Sequence, residues 1–184
     1  MKKIVIINGS PRPNSISNTY KALVAYNEYL EKKYAAEGDE LKSVYFKLPG
    51  DLRGCNNCKT CSVDCNLKDG MQEIMDEIAD ADFVMIGSPV YLDMPTAQTV
   101  AFLTRLNCKA ENTNREFFKG KKALLVATAY CSGTKSVIHT MMGACEMLGF
   151  DIDGRSSREY ISSWHDKKLR GGMNSKTDAI YLSE

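Results

Sequence analysis

The sequence carries almost no excess charge of either sign. Its 24 Lys and Arg residues are matched by 23 Asp and Glu residues, which leaves a formal net charge of +1. This balance gives no electrostatic reason to expect nucleic acid or an anionic membrane as the main partner. Long hydrophobic runs are also missing, since stretches such as 123–129 are far shorter than the roughly 20 apolar residues that span a bilayer.

Histidine and apolar N-terminal residues are scarce as well. The N-terminus offers four consecutive apolar residues, 4–7, before Asn8 and Gly9, too few for the core of a signal peptide. We therefore expect a cytoplasmic protein. The two histidines, His139 and His165, are isolated, and we interpret them as helix-surface and tail residues rather than ligands or catalytic bases.

Short β-rich runs alternate along the chain with longer stretches of helical period. The predicted strands are 4–7, 44–46, 83–86, 123–127 and, at a sheet edge, 150–152. Runs that are apolar on both faces indicate parallel strands covered on both sides. The predicted helices cover 17–36, begin near 69 and near 95, and cover 133–148. This alternation predicts a doubly wound α/β domain over residues 1–161, followed by a polar tail over 162–184.

Sheets of this kind bind ligands at the carboxyl ends of their strands. The loop over residues 8–19 leaves the first strand and enters the first helix, and it is rich in hydroxyl and amide side chains with a single Arg. Backbone amides at a helix N-terminus favour an anion. The loop lacks the glycine spacing of nucleoside triphosphate and dinucleotide sites. It suits a single phosphate monoester such as that of FMN, and the alternative is a plain polar turn with an N-cap Ser.

Two further loops are predicted at the same edge of the sheet. The loop over 87–95 has Pro at 89 and 95 around an apolar centre that could lie against a flat aromatic ring. The loop over 128–134 contains Gly133, which allows close backbone approach. Each alone is a common βα turn, but the three together favour a bound flavin mononucleotide.

Four of the seven cysteines fall within the predicted connection 47–70, which is long for a loop in a compact domain. They are Cys55, Cys58, Cys61 and Cys65. The two-residue gaps let three thiolates converge on one iron–sulfur cluster, whereas a fourth Cys after a three-residue gap serves another cluster in ferredoxins. A four-thiolate zinc site and reduced or redox-reactive thiols are the alternatives. A disulfide scaffold is disfavoured in the cytosol. The remaining cysteines, Cys108, Cys131 and Cys145, are interpreted as ordinary buried residues.

Several of these segments together resemble one known family. The matching residues are Gly-Ser-Pro-Arg at 9–12, Asn18 with Thr19, 87–91 and 102–105. They resemble the NADPH-dependent FMN reductase family of flavodoxin-like proteins, from about residue 2 to residue 150. The resemblance implies a flavodoxin-like sheet of five parallel strands in the order 2-1-3-4-5. The sequence departs from the family at Thr104, where Asp is common, so we interpret the adjacent Arg105 as structural.

The resemblance also implies which residues contact the cofactor. The contacts to the FMN phosphate would be Ser10, Arg12, Ser17, Asn18 and Thr19. The contacts to the flavin ring would be Pro89, Val90 and Tyr91, together with Thr128, Tyr130, Ser132 and Gly133 of the third loop.

Within this family, the cysteine arrangement resembles that of the iron–sulfur flavoproteins. In those proteins a [4Fe–4S] cluster lies near FMN in a homo-oligomer, which would make Cys55, Cys58, Cys61 and Cys65 ligands here. The gap before Cys65 is shorter than is usual in that group. An outside ligand, a labile three-iron form and the absence of a cluster therefore remain alternatives.

These features predict an FMN-dependent oxidoreductase or electron-transfer flavoprotein that forms a homodimer or homotetramer. Electrons would pass between NAD(P)H or a redox protein and a small acceptor, because the flavin supplies the redox chemistry. The alternative is a redox-sensing module that binds flavin or zinc without turnover. Phosphate-ester hydrolysis would need a pair of metal-binding carboxylates, which the sequence does not offer.

Overall fold

The computed structural model describes residues 1–58, 65–152 and 157–161. Cys61 and the predicted tail over 162–184 lie outside the described residues. In the part of the chain that the structure describes, no helix combines the length and the apolar character that crossing a bilayer requires.

A parallel sheet forms the centre of the fold. Its strands are β1 (Lys2–Asn8), β2 (Leu41–Lys47), β3 (Phe83–Pro89), β4 (Lys122–Ala129) and β5 (Asp151–Ile152). They lie in the order β2-β1-β3-β4-β5, with parallel pairing throughout. The predicted fold class and strand order are therefore confirmed.

A sixth strand, β6 (Arg158–Ile161), was not predicted from the sequence. It pairs in parallel with Val126–Ala129 of β4, while β5 pairs with Lys122 and Ala123. The two short strands thus share one edge of β4. Contacts from distant segments support β6, since Arg158 lies over the ring of Tyr26 at 4.7 Å and Glu159 accepts a hydrogen bond from Thr134. Contacts between distant residues leave no local pattern in the sequence, so β6 could not be predicted from it.

Helices cover both faces of the sheet. They are α1 (Asn18–Ala36), α2 (Met71–Ala79), α3 (Ala97–Asn112) and α4 (Thr134–Leu148). Alternate strand residues point to opposite faces. Ile4 and Ile6 pack in the core cluster that contains α1 residues, whereas Val5 and Ile7 pack in the cluster that contains residues of α2, α3 and α4. This two-sided burial explains why the strands are apolar on both faces.

The second helix begins slightly later than the sequence predicts. Gly70, with a φ of 77°, is its N-cap residue, and Met71 is its first helical residue. The carboxylate of Asp69 pairs with Arg105 of α3 at 2.7 Å, and the Met71 amide at the start of α2 also helps to lower the pKa of that carboxylate. A tertiary ion pair therefore determines the orientation of the residue that the sequence placed at the helix start.

Replacing Gly87 tests how closely α1 packs on the sheet. A Cβ at Gly87 would lie 2.8–2.9 Å from three atoms of the Leu23 side chain. Gly87→Ala is expected to lower the free energy of unfolding by about 1–3 kcal/mol, the usual cost of overpacking. Urea-induced unfolding would measure the change.

Gly143 of α4 provides the matched control, because a Cβ there would meet nothing within 4 Å. Gly143→Ala is expected to raise the free energy of unfolding by about 0.5–1 kcal/mol through helix propensity. Equal effects of the two substitutions would contradict the described packing of α1.

Candidate functional site

Three loops meet at the carboxyl ends of β1, β3 and β4, and we call this edge the rim. The loops cover residues 9–17, 90–96 and 130–133. Gly9 N–H donates to the Gly87 carbonyl at 2.8 Å, and Val90 N–H donates to the Thr128 carbonyl at 2.8 Å. The predicted loops therefore lie side by side, joined by backbone hydrogen bonds.

The first loop directs the N-terminus of α1 towards the rim. Ser17 is fully buried and caps the helix, because its hydroxyl accepts a hydrogen bond from Tyr20 N–H at 3.1 Å. Helix geometry leaves the amides of Asn18 and Thr19 without an intrahelical acceptor. These amides and the helix dipole favour an anion at this point.

The other predicted phosphate residues of this loop differ in exposure. Ser10 is buried, and its hydroxyl accepts a hydrogen bond from Arg12 N–H at 3.3 Å. The Arg12 side chain is exposed and Asn18 is half-buried. A cation and an amide are therefore available to a ligand. The hydroxyls of Ser10 and Ser17 accept hydrogen bonds within the loop, and each still has its own O–H to donate.

Thr19, in the first turn of α1, is in direct contact with Thr128, near the end of β4. Their hydroxyl oxygens are 2.7 Å apart, and both side chains are buried. Two residues that sequence reasoning placed in separate parts of the cofactor site are thus neighbours across the rim.

The second loop contains a tight turn with unusual backbone geometry. Tyr91 and Met94 exchange two backbone hydrogen bonds of 2.9 and 3.0 Å. Between them, Leu92 and Asp93 have φ values of 51° and 60°. Asp tolerates this left-handed region, but Leu pays a steric cost of about 1–2 kcal/mol there. Leu92 is nevertheless 93% exposed and Tyr91 48% exposed, so the turn presents apolar side chains at the rim.

The third loop packs closely against this turn. Gly133 has a φ of 89°, and a Cβ there would collide with Asp93 and lie 2.7 Å from Val90 Cγ1. Glycine is therefore required for the two loops to meet. Tyr130 and Ser132 are exposed beside this contact, while Pro89 and Val90 are half-buried.

Sequence reasoning missed the buried polar residues that support the rim. Thr96 is the N-cap of α3, and its hydroxyl donates to the Gly9 carbonyl at 2.7 Å. Asn8 binds the loop twice, through the Ser10 amide at 3.0 Å and the Asn14 side chain at 2.9 Å. An N-cap Thr after Pro95 was a recognisable signal for α3, but its bond to Gly9 depends on the tertiary fold.

Three of the four clustered cysteines lie in the described residues. Cys55 and Cys58 are exposed and Cys65 is half-buried, while Cys61 lies outside the described residues. Among the residues that the structure describes, no three Cys, His, Asp or Glu side chains are gathered into a metal-binding group. Asn57 N–H donates to Cys55 Sγ at 3.3 Å, with Asn57 at a φ of 49°. A backbone donor directed at sulfur stabilises a thiolate ligand, so the chemistry of this turn fits a soft metal or a cluster.

A buried ion pair holds together the two ends of residues 53–69, which we call the cysteine-bearing segment. Arg105 donates to both carboxylate oxygens of Asp69, at 2.7 and 3.2 Å, and to the Arg53 carbonyl at 3.1 Å. Its Nε is buried and has no partner among the described residues. Burial acts to raise the pKa of Asp69, but hydrogen bonds from Arg105 and the Arg53 amide outweigh it, and that pKa falls below its ordinary value.

The three cysteines outside the cluster differ from one another. Cys145 is buried, as predicted, and burial raises the pKa of its thiol to about 12. Cys108 is half-buried, whereas Cys131 is exposed in the third loop. The expectation of burial is therefore wrong for Cys131, because its loop lies on the rim rather than under a helix. His139 lies exposed on α4, as predicted, and His165 is outside the described residues.

Asp69→Asn is expected to lower the free energy of unfolding by roughly 3 kcal/mol at pH 7, because it leaves the buried guanidinium of Arg105 without its counter-charge. The pKa of Asp69 is lower in the folded protein, so its contribution to stability is present above the unfolded pKa of about 4 and is lost as the pH falls. The difference between wild type and variant should shrink from pH 5 towards pH 3 in urea titrations.

Asp76→Asn is the control for this prediction, since Asp76 is an exposed carboxylate on α2. It should change the free energy of unfolding by less than about 0.5 kcal/mol. A stability difference for Asp69→Asn that stays constant over this pH range would contradict the assignment.

Comparisons with known proteins identify the family. The family model described as NADPH-dependent FMN reductase matches residues 2–152. An iron–sulfur flavoprotein of Methanocaldococcus jannaschii is 32% identical over 103 residues, covering 56% of this chain and 51% of that protein. An iron–sulfur flavoprotein of Clostridioides difficile is 32% identical over 135 residues, covering 66% and 57%. The chain thus spans about half the length of the curated relatives it matches.

A solved structure supports the fold independently. The crystal structure of RosB with bound 8-demethyl-8-formylriboflavin-5'-phosphate is similar with a TM-score of 0.68, at 19% identity, over 89% of this chain and 66% of that one. At this identity the likeness concerns the fold alone. Because the family model matches most of the sequence, the chain belongs to the NADPH-dependent FMN reductase family.

Proposed function

We propose that the chain is an FMN-dependent oxidoreductase or electron-transfer flavoprotein that holds its flavin at the rim. The observation that carries this proposal is the meeting of three loops beside the N-terminus of α1. The phosphate would bind the amides of Asn18 and Thr19 and the Arg12 side chain. Ser10 and Ser17 would also contact the phosphate, since their hydroxyls accept hydrogen bonds within the loop and can donate their own protons to an anion.

The flavin ring would lie against the second and third loops. Pro89, Val90 and Tyr91 offer an apolar and aromatic surface, and Tyr91 is 48% exposed. Thr128, Tyr130, Ser132 and Gly133 border the same space. When bound, FMN supplies the redox chemistry, while these residues bind it, orient it and limit the access of water.

The cysteine-bearing segment would hold a metal centre, with a [4Fe–4S] cluster as our first choice. Cys55, Cys58 and Cys65, together with Cys61, are the proposed ligands. The amide of Asn57 directed at Cys55 Sγ supports this assignment, as do the names of the curated iron–sulfur relatives. We infer that electrons pass between NAD(P)H or a redox protein and a small acceptor, in a homodimer or homotetramer.

Asn18→Asp tests the phosphate position. The substitution places a carboxylate at the first residue of α1, where it would repel the phosphate of FMN but complement the helix dipole. The affinity for FMN should fall at least about tenfold, which corresponds to about 1.4 kcal/mol. The affinity for riboflavin, which lacks the phosphate, should be unchanged. Quenching of flavin fluorescence measures both values.

Asn114→Asp is the matched control, because Asn114 is exposed beyond the C-terminal end of α3, at the opposite edge of the sheet. It makes the same charge change and should leave both affinities unaltered. If Asn18→Asp weakened FMN and riboflavin equally, or weakened neither, the phosphate would not lie at this helix.

Cys55→Ser tests the metal centre. Anaerobically prepared wild-type protein is expected to contain iron and acid-labile sulfide, and Cys55→Ser should lose most of both because a thiolate ligand is removed. FMN affinity should be retained, since Cys55 is not part of the rim. Assays of iron, zinc and acid-labile sulfide measure the content of the metal centre, and flavin titration measures the FMN affinity.

Cys131→Ser removes a thiol outside the segment and should keep the wild-type iron content. Zinc without sulfide in the wild type would favour a structural zinc site instead. Equal iron in Cys55→Ser and wild type would reject this cysteine as a ligand. Anaerobic flavin reduction by NADPH or by a reduced ferredoxin then distinguishes the two electron donors.

A further inference from the structure

Thr104 and Arg105 are consecutive residues of α3, and together they contact the beginning and the end of the cysteine-bearing segment. Cys55 N–H donates to the Thr104 hydroxyl at 3.4 Å, and Arg105 donates to the Arg53 carbonyl at 3.1 Å. The same guanidinium holds Asp69, which follows Cys65 in the chain. The start and the end of the segment therefore converge on one turn of one helix.

Arg105 also lies beside a thiol of the segment. Cys65 and Arg105 line one small cavity, whose wall also contains Lys109. One donor of Arg105, its buried Nε, remains without a partner among the described residues.

A purely structural ion pair does not explain these observations. An ion pair that only stabilised the fold would be complete with Asp69, because the two oxygens of its carboxylate already accept hydrogen bonds from both Nη atoms of Arg105. The buried Nε, which has no partner among the described residues, instead favours an additional negatively charged acceptor at the same cavity. A cysteine that ligates a metal is such an acceptor, because it binds as a thiolate.

We propose that Arg105 is the positioning residue of the metal centre: its guanidinium, which Asp69 and the Arg53 carbonyl hold in place, donates from Nε to the Cys65 sulfur when that sulfur is a metal ligand. The inference rests on the proposed metal centre and adds to it a residue outside the cysteine motif. It also gives a reason why Arg105 is only 3% exposed within α3.

Cobalt(II) alone serves as the probe, since thiolate-to-cobalt absorption reports sulfur ligation without flavin, iron or turnover. Arg105→Lys keeps the charge but loses the planar fork and the Nε donor. The apparent cobalt affinity should fall at least tenfold when Cys65 is present. A double-mutant cycle repeats the substitution in a Cys65→Ser background. There, Arg105→Lys should change the cobalt affinity less than twofold. This comparison holds even if Arg105→Lys lowers the stability of the protein in both backgrounds.

Lys109→Met is the matched control, because it removes a cation from the same cavity and should alter the cobalt affinity less than twofold. Equal losses for Arg105→Lys in both backgrounds, or an equal loss for Lys109→Met, would overturn the inference while leaving the metal centre intact. A wild-type chain that shows no thiolate–cobalt absorption would overturn the metal centre and the inference together. FMN affinity, measured in parallel, should be the same in all variants.

Discussion

Parallel hydrogen bonding among β1, β3 and β4 determines where the candidate site can form. The pairing of Asn8 with Gly87, and of Pro89 with Thr128, brings three strand ends to one edge. In a parallel sheet the connections after neighbouring strands leave at the same edge, because the helices must cross back over the faces. The polar, apolar and glycine-containing loops therefore meet without any sequence proximity.

Helix α3 supports both proposed redox elements. Its N-cap, Thr96, holds the carbonyl of Gly9 at the rim, and its middle residues, Thr104 and Arg105, hold the cysteine-bearing segment. Eight or nine residues separate these contacts, which is roughly 13 Å along a helix axis. A rigid helix thus fixes the distance between the flavin rim and the base of the cysteine-bearing segment, whereas two independent loops would not.

Family membership and function rest on different observations. The family model covers residues 2–152, and the sheet order agrees with a flavodoxin-like fold. Folds of this kind serve many activities, so the proposed function rests on the rim and on the cysteines. The strained turn at Leu92 and the buried Arg105 Nε, which has no partner in the described part of the chain, depart from an idealised fold, and such departures concentrate at functional sites.

The sequence by itself determined the alternation of strands and helices, the position of the loops and the cysteine cluster, because apolar periodicity and local spacing are written in neighbouring residues. Tertiary structure alone decided that Thr19 meets Thr128, that β6 joins β4, and that Asp69 binds Arg105. Each of these contacts joins residues at least about 30 positions apart. Their hydrogen bonds and ion pairs form only once the hydrophobic sheet and helices have brought the partners together, and no local pattern encodes them.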